Sequence, residues 1–167
     1  MSVFALVTGY AAGMVAIVMS IPQALKIWRT HDDRGVNVTS WVLSFIAVSA
    51  WTGYGVRTDN ITVVVSNVGM ILTVGAVLIA IARTRQRRLT VDVIAIIALW
   101  LTALLSANIL PLTILTAYFI ASSMVTWLQT VTSWRTWRSG GVSNVAISTL
   151  MLRVAVNLLW LLHGAVL

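Results

Sequence analysis

The sequence predicts an all-α membrane protein of six transmembrane helices. Two parallel three-helix repeats are joined by an inverting helix, and the second repeat lacks its last helix. Three observations carry this expectation. Hydrophobic residues make up 59% of the 167 positions and charged residues 9%, with a mean hydropathy of +0.96, a balance that water-soluble domains do not show. The basic residues sit in short gaps between apolar runs, where membrane topology puts them. A stretch near the start also recurs 106 positions later, which marks an internal repeat.

A span needs about 20 apolar residues to cross a hydrocarbon layer of about 30 Å. Six runs qualify: Val3–Ile27, Val38–Val56, Ile61–Ala82, Val91–Leu110, Leu112–Ser133 and Asn144–Val166. The first of these lacks the basic start and small-residue cleavage site of a signal peptide, so it is expected to stay as a span. The first, third and fifth gaps hold Lys26, Arg29 and Arg34, then Arg83, Arg85, Arg87 and Arg88, then Arg135 and Arg138; the second holds Arg57 and the fourth no basic residue. The positive-inside rule then puts the N-terminus outside, and six spans bring the C-terminus outside too. A multi-pass protein of the cell (plasma) membrane, in contact with lipid, is expected. The net charge of +7 is read as orientation, not as a nucleic-acid surface. There is no cysteine, which removes disulfide frameworks and thiol metal sites.

A shift of 106 positions lays Gln23 on Gln129, Trp28 on Trp134, Arg29 on Arg135, Thr30 on Thr136, Gly35 on Gly141 and Val36 on Val142. These six identities in fourteen positions compare with about one expected by chance. The copies continue into "WTGYG" (Trp51–Gly55) and "WLLHG" (Trp160–Gly164), with three extra residues in the second. A three-helix unit enters and leaves on opposite sides of the membrane, so a second unit of the same orientation requires one inverting helix between them. Val91–Leu110 fits that role. The expected division is 1–83 for the first repeat, 84–110 for the linker helix and 111–167 for the second, incomplete repeat. Parallel repeats of this kind are a transporter arrangement, with the substrate site between the repeats near the midplane.

The stretch "SIPQALKIWRTHDDRGVNVTSW" (Ser20–Trp41) and the continuation "WTGYGVRTDNITVVVSNVGMILT" (Trp51–Thr73) resemble the PQ-loop motif and the second and third helices of the SWEET and SemiSWEET (MtN3) sugar transporters. The likeness covers about the first eighty residues well and the second copy in part, where Leu128–Gln129 replaces Pro22–Gln23. Full SWEETs have seven spans in a 3+1+3 plan, one more than is expected here.

Pro22 removes one backbone hydrogen bond and should loosen the inner end of the first helix; a static kink is the plainer alternative. The resemblance implies that this proline is a hinge for alternating access and that Gln23, with Gln129 as its counterpart, holds helix ends together. Trp51 and Asn67 lie on successive helices at similar depth. An indole face stacks on the apolar side of a pyranose while an amide serves hydroxyls, and the resemblance implies that this pair lines the substrate pocket. An interfacial aromatic and an interhelical amide are the bland alternatives. Trp160 corresponds to Trp51 and is expected as the second wall, with Asn157 close to its face of the helix and open to either pocket or structural use. The resemblance further implies an extracellular gate closed by hydrogen bonds and ion pairing of Tyr54, Arg57 and Asp59. Arg153, about ten positions into an apolar span, faces inward or snorkels.

Glu is absent, and Asp32, Asp33, Asp59 and Asp92 fall in turns or at span ends. Proton-coupled carriers usually carry an ionisable relay inside the membrane, so uncoupled movement is expected. No catalytic or metal constellation is present in the sequence, and neither enzyme activity nor a cofactor is expected. "NVT" at Asn37 and "NIT" at Asn60 match a glycosylation pattern of low specificity. The expected function is facilitative transport of a small neutral solute, a sugar first, by a homo-oligomer or with a partner membrane protein. The alternatives are a non-transporting PQ-loop subunit that binds a partner protein and a PQ-loop carrier of amino acids or other metabolites.

Overall fold

The computed structural model describes residues 3–85, scattered positions between 94 and 111, 125–141, 145 and 147–165, leaving aside the side chains of Ala5, Leu6, 125–128, Thr130 and 160–165. Among these residues the regular structure is all helical: α1 Val3–Val18, α2 Ile21–Thr30, α3 Val38–Arg57, α4 Ile61–Thr84, α5 Val125–Arg138 and α6 Ile147–Ala165. Helical backbone is also present at described positions between 94 and 109.

The first expected span is one apolar run but two helices. Pro22 stands in the first turn of α2, and the break falls upstream of it at Met19–Ser20. The physical reason is the missing N–H and the ring's clash with the carbonyl one turn earlier. The bonds from Met19 N to Val15 O (3.0 Å) and from Ala24 N to Ser20 O (3.1 Å) bracket the break. α2 ends where His31 adopts the left-handed region (φ 50°) and donates its N–H to Ile27 O.

α3 and α4 begin on side-chain caps. Asn37 accepts from Ser40 N and Asn60 from Val63 N, each satisfying a backbone donor that the first turn leaves open. The two asparagines of the glycosylation pattern are thus occupied as helix caps. Several hydroxyls inside the helices return to their own backbone, as Ser49 Oγ does to Phe45 O (2.7 Å) and Thr52 Oγ1 to Val48 O (2.9 Å), so these need no partner in an apolar medium.

α3 packs along α4, while α1 lies against both α4 and α6, and α2 against α4. The approach of α1 to α4 rests on glycine. A Cβ on Gly13 would sit 3.1 Å from Ser66 Cβ, and one on Gly69 would sit 2.6 Å from Ile17 Cγ1. The main core gathers Ile27 of α2, Val36, Trp41 and Phe45 around Val74, Val77, Leu78 and Ile81 of α4, with Val145 from the approach to α6.

The outward faces are as apolar as the interior. Val3, Val7, Tyr10, Met14 and Val18 run down α1, Ile61, Val65, Val68 and Leu72 down α4, and Ile147, Met151, Val154 and Leu158 down α6, all exposed. Apolar stripes of this extent mark a surface that does not meet water. Two stretches, Val7–Thr30 across the α1–α2 break and Ile61–Thr84, are each long and apolar enough to cross a membrane. The protein is a membrane protein.

Candidate functional site

The level of Trp51 and Asn67 is set by a close contact of α3 with α4. A Cβ on Gly55 would meet Val63 Cγ1 and Val64 Cγ2 at 3.0 Å each. Trp51 lies one turn before Gly55 on α3, and Asn67 lies one turn after Val63 on the antiparallel α4, so the two stand at one level below this contact. Asn67 is buried and Trp51 is half-buried. Asn67 Nδ2 donates to Val63 O at 2.8 Å, which fixes the amide against its own helix and leaves its oxygen without a donor among the described residues. Trp51 stands edge-on to Tyr54, with ring centroids 5.5 Å apart and planes at 87°.

At the α3–α4 turn, Arg57 donates from Nη1 to Leu110 O at 2.7 Å, and Leu110 packs with Trp51 and Tyr54 around Ala50. The arginine expected to close a gate thus ties the α3–α4 turn to the chain ahead of α5. Asp59 holds the left-handed region (φ 52°) in that turn, exposed like Arg57. The two ion pairs among the described residues lie at the other end. Arg34 meets Asp32 at 2.7 Å and Arg85 meets Asp33 at 2.6 Å. Hydrogen bonds from Arg34 hold the Asp32 carboxyl below the usual carboxylate range.

Gln23 and Gln129 are both buried, and the bonds of Gln129 make it a polar joint of the bundle. Gln23 is wholly buried on α2, and Pro22 beside it is half-buried. Gln129, on α5, spans to the loop before α3: its Oε1 accepts from Asn37 N (2.9 Å), and its Nε2 donates to Gly35 O (2.9 Å) and Ser133 Oγ (3.1 Å). Asn37 adds a bond from Nδ2 to Thr132 Oγ1 at 2.9 Å. A single amide thereby joins elements more than ninety residues apart. Lys26 makes a parallel tie, donating from Nζ to Val145 O at 3.1 Å.

Two further residues were expected at the site. Trp160 belongs to α6, but its side chain lies outside the described residues. Asn157 is exposed on α6 beside Leu158. Sequence reasoning missed Asn37, which both caps α3 and receives the Gln129 amide. The signal was an Asn three residues before Ser40 at the head of an apolar helical run.

These features define a helical membrane protein with an aromatic and a carboxamide side chain level with each other next to the tied α3–α4 turn. In sequence, the chain is similar to three sugar transporters named SemiSWEET. It is 36% identical over 76 residues to that of Vibrio sp. (strain N418), covering 43% of this chain and 77% of the relative. It is 24% identical over 83 residues to that of Escherichia coli (strain UMEA 3162-1), covering 50% of this chain and 93% of the relative. It is 27% identical over 60 residues to that of Leptospira biflexa serovar Patoc, covering 36% and 71%. The chain belongs to the SemiSWEET sugar transporter family. No family model and no solved structure matches it.

Proposed function

We propose that the protein carries a small neutral solute, a sugar, across the cell membrane by alternating access, with Trp51 and Asn67 as the solute contact. The observation that carries this reading is the placement of an indole and a buried carboxamide at one level between α3 and α4. The indole offers an apolar stacking face and the free amide oxygen an acceptor for a hydroxyl. The break at Met19–Ser20, the Arg57–Leu110 tie and the Gln129 amide supply a flexible point and two latches at opposite ends of α3.

The two-repeat reading draws support from the relatives. The E. coli protein gives 93% of its length to a match with half of this chain, so a unit of that size can occur twice here. The gate, the hinge and the six-span topology with the N-terminus outside belong to the same proposal, as does assembly with a second copy, which would cover the exposed Asn157.

Uptake of labelled sugars into proteoliposomes tests the reading, with amino acids as the competing panel. Saturable sugar uptake is expected, and Trp51→Ala should abolish it while folded yield stays nearly unchanged. Sugar uptake equal in Trp51→Ala and wild type would remove Trp51 from the path, and saturable uptake of amino acids alone would replace the substrate class.

A further inference from the structure

Among the described residues, Ser20 Oγ, Thr149 Oγ1 and Arg153 Nε are buried side-chain atoms without a hydrogen-bond partner, and the geometry gathers them in one layer. Thr149 and Arg153 are one turn apart on α6 and share a face. α6 runs antiparallel to α1 and α2, and two contacts fix its register. Ala16 and Met19 pack with Leu152 and Val156 on one side, and Lys26 Nζ reaches Val145 O on the other. Ser20 and Thr149 fall between these contacts, and Arg153 lies within the first, next to Leu152. The Arg153 guanidinium carbon stands 4.9 Å from the Trp41 ring centroid, so the first turn of α3 closes the layer from a third side.

The layer holds a permanent cation with 7% exposure beside hydroxyls that are 0% and 1% exposed. Among the described carboxylates, Asp32 and Asp33 are engaged by Arg34 and Arg85, and Asp59 stands at the far end of α3. The Trp41 ring offsets part of the cost of dehydrating the guanidinium, but a ring cannot accept its in-plane N–H groups. A guanidinium fork beside two hydroxyl donors matches a planar oxyanion, and one positive charge balances one negative charge. We propose that this layer is a binding site for a small monocarboxylate, held by Arg153, Thr149 and Ser20. It is separate from the Trp51–Asn67 level, which stands ten residues, about 15 Å, further along α3.

The test is thermal unfolding of the full chain in mild detergent, titrated with sodium acetate against sodium chloride at equal ionic strength. The readout needs neither sugar nor transport, so it can fail independently of the proposed function. A saturable rise in melting temperature with acetate but not chloride is expected in wild type, lost in Arg153→Met. Thr149→Val, a near-isosteric change, should retain the fold and show a weaker acetate shift, which keeps the test decisive if Arg153→Met does not fold. An equal acetate response in wild type and either variant, or none in wild type, would overturn the site. Labelled glucuronate in proteoliposomes then separates two sources of the carboxylate: Arg153-dependent uptake identifies a travelling solute, and an acetate shift without glucuronate uptake identifies a resident anion.

Discussion

Gln129 carries more of the bundle's cohesion than its position on a polar helix suggests. Its amide is 3% exposed and serves Asn37 N, Gly35 O and Ser133 Oγ. Replacing it by Leu leaves the half-buried Asn37 N–H and Gly35 C=O without their partner, at up to about 1–3 kcal/mol for each orphaned group. Gln129→Leu is therefore expected to lower the melting temperature clearly more than Ser133→Ala, which forfeits one of the three bonds. Equal melting temperatures for the two variants would show that the Asn37 and Gly35 bonds contribute little. The weight of this residue was half legible in the sequence. The recurrence of Gln23 at Gln129 and of Gly35 at Gly141 marked the positions, but a single chain gives no measure of which distant backbone a buried amide will reach. Asn157 shows the converse: its type is read directly from the sequence, but its exposure on α6 depends on helix rotation, which packing decides.

At the scale of elements, hydropathy located α3 and α4 to within two residues at each end, because a long apolar run bounded by asparagine caps has few alternatives. It also carried the first span across Met19–Ser20 as one helix, since a break is a backbone event that costs no hydropathy. Two predictions belong here. Pro22→Ala restores an N–H able to reach Val18 O and should let α1 continue into α2. Uptake is expected to slow, with melting temperature unchanged or raised, and unaltered uptake would make the break a static kink. Gly69→Ala drives a methyl into Ile17 at 2.6 Å, an overpacking expected to cost about 1–3 kcal/mol. The double variant with Ile17→Ala opens space for that methyl, so the two changes should couple favourably in a mutant cycle. Strict additivity would place the α1–α4 contact elsewhere.

The whole molecule is organised by where its charges stand. The ion pairs of Asp32 with Arg34 and Asp33 with Arg85 gather at one end of the bundle, and Arg57 and Asp59 at the other. With no cysteine to remove, introduced thiols can report on both ends. Thr58→Cys should react with an impermeant reagent on intact cells, and Ser139→Cys only after permeabilisation; the reverse pattern would invert the orientation. The same distribution bears on energetics. Glutamate is absent, and none of the described aspartates lies within a helix: Asp32 and Asp33 occupy the loop after α2, and Asp59 the turn after α3. A proton-driven carrier needs a group that binds and releases a proton as the path changes sides, and an arginine cannot serve because it stays protonated. Sugar in proteoliposomes is therefore expected to reach the outside concentration and stop there, with an imposed proton gradient changing neither the rate nor the plateau. Accumulation above the outside concentration that collapses with a protonophore would show that a titrating group lies in the path, and Asp92, which is outside the described residues, would be the first position to replace with Asn.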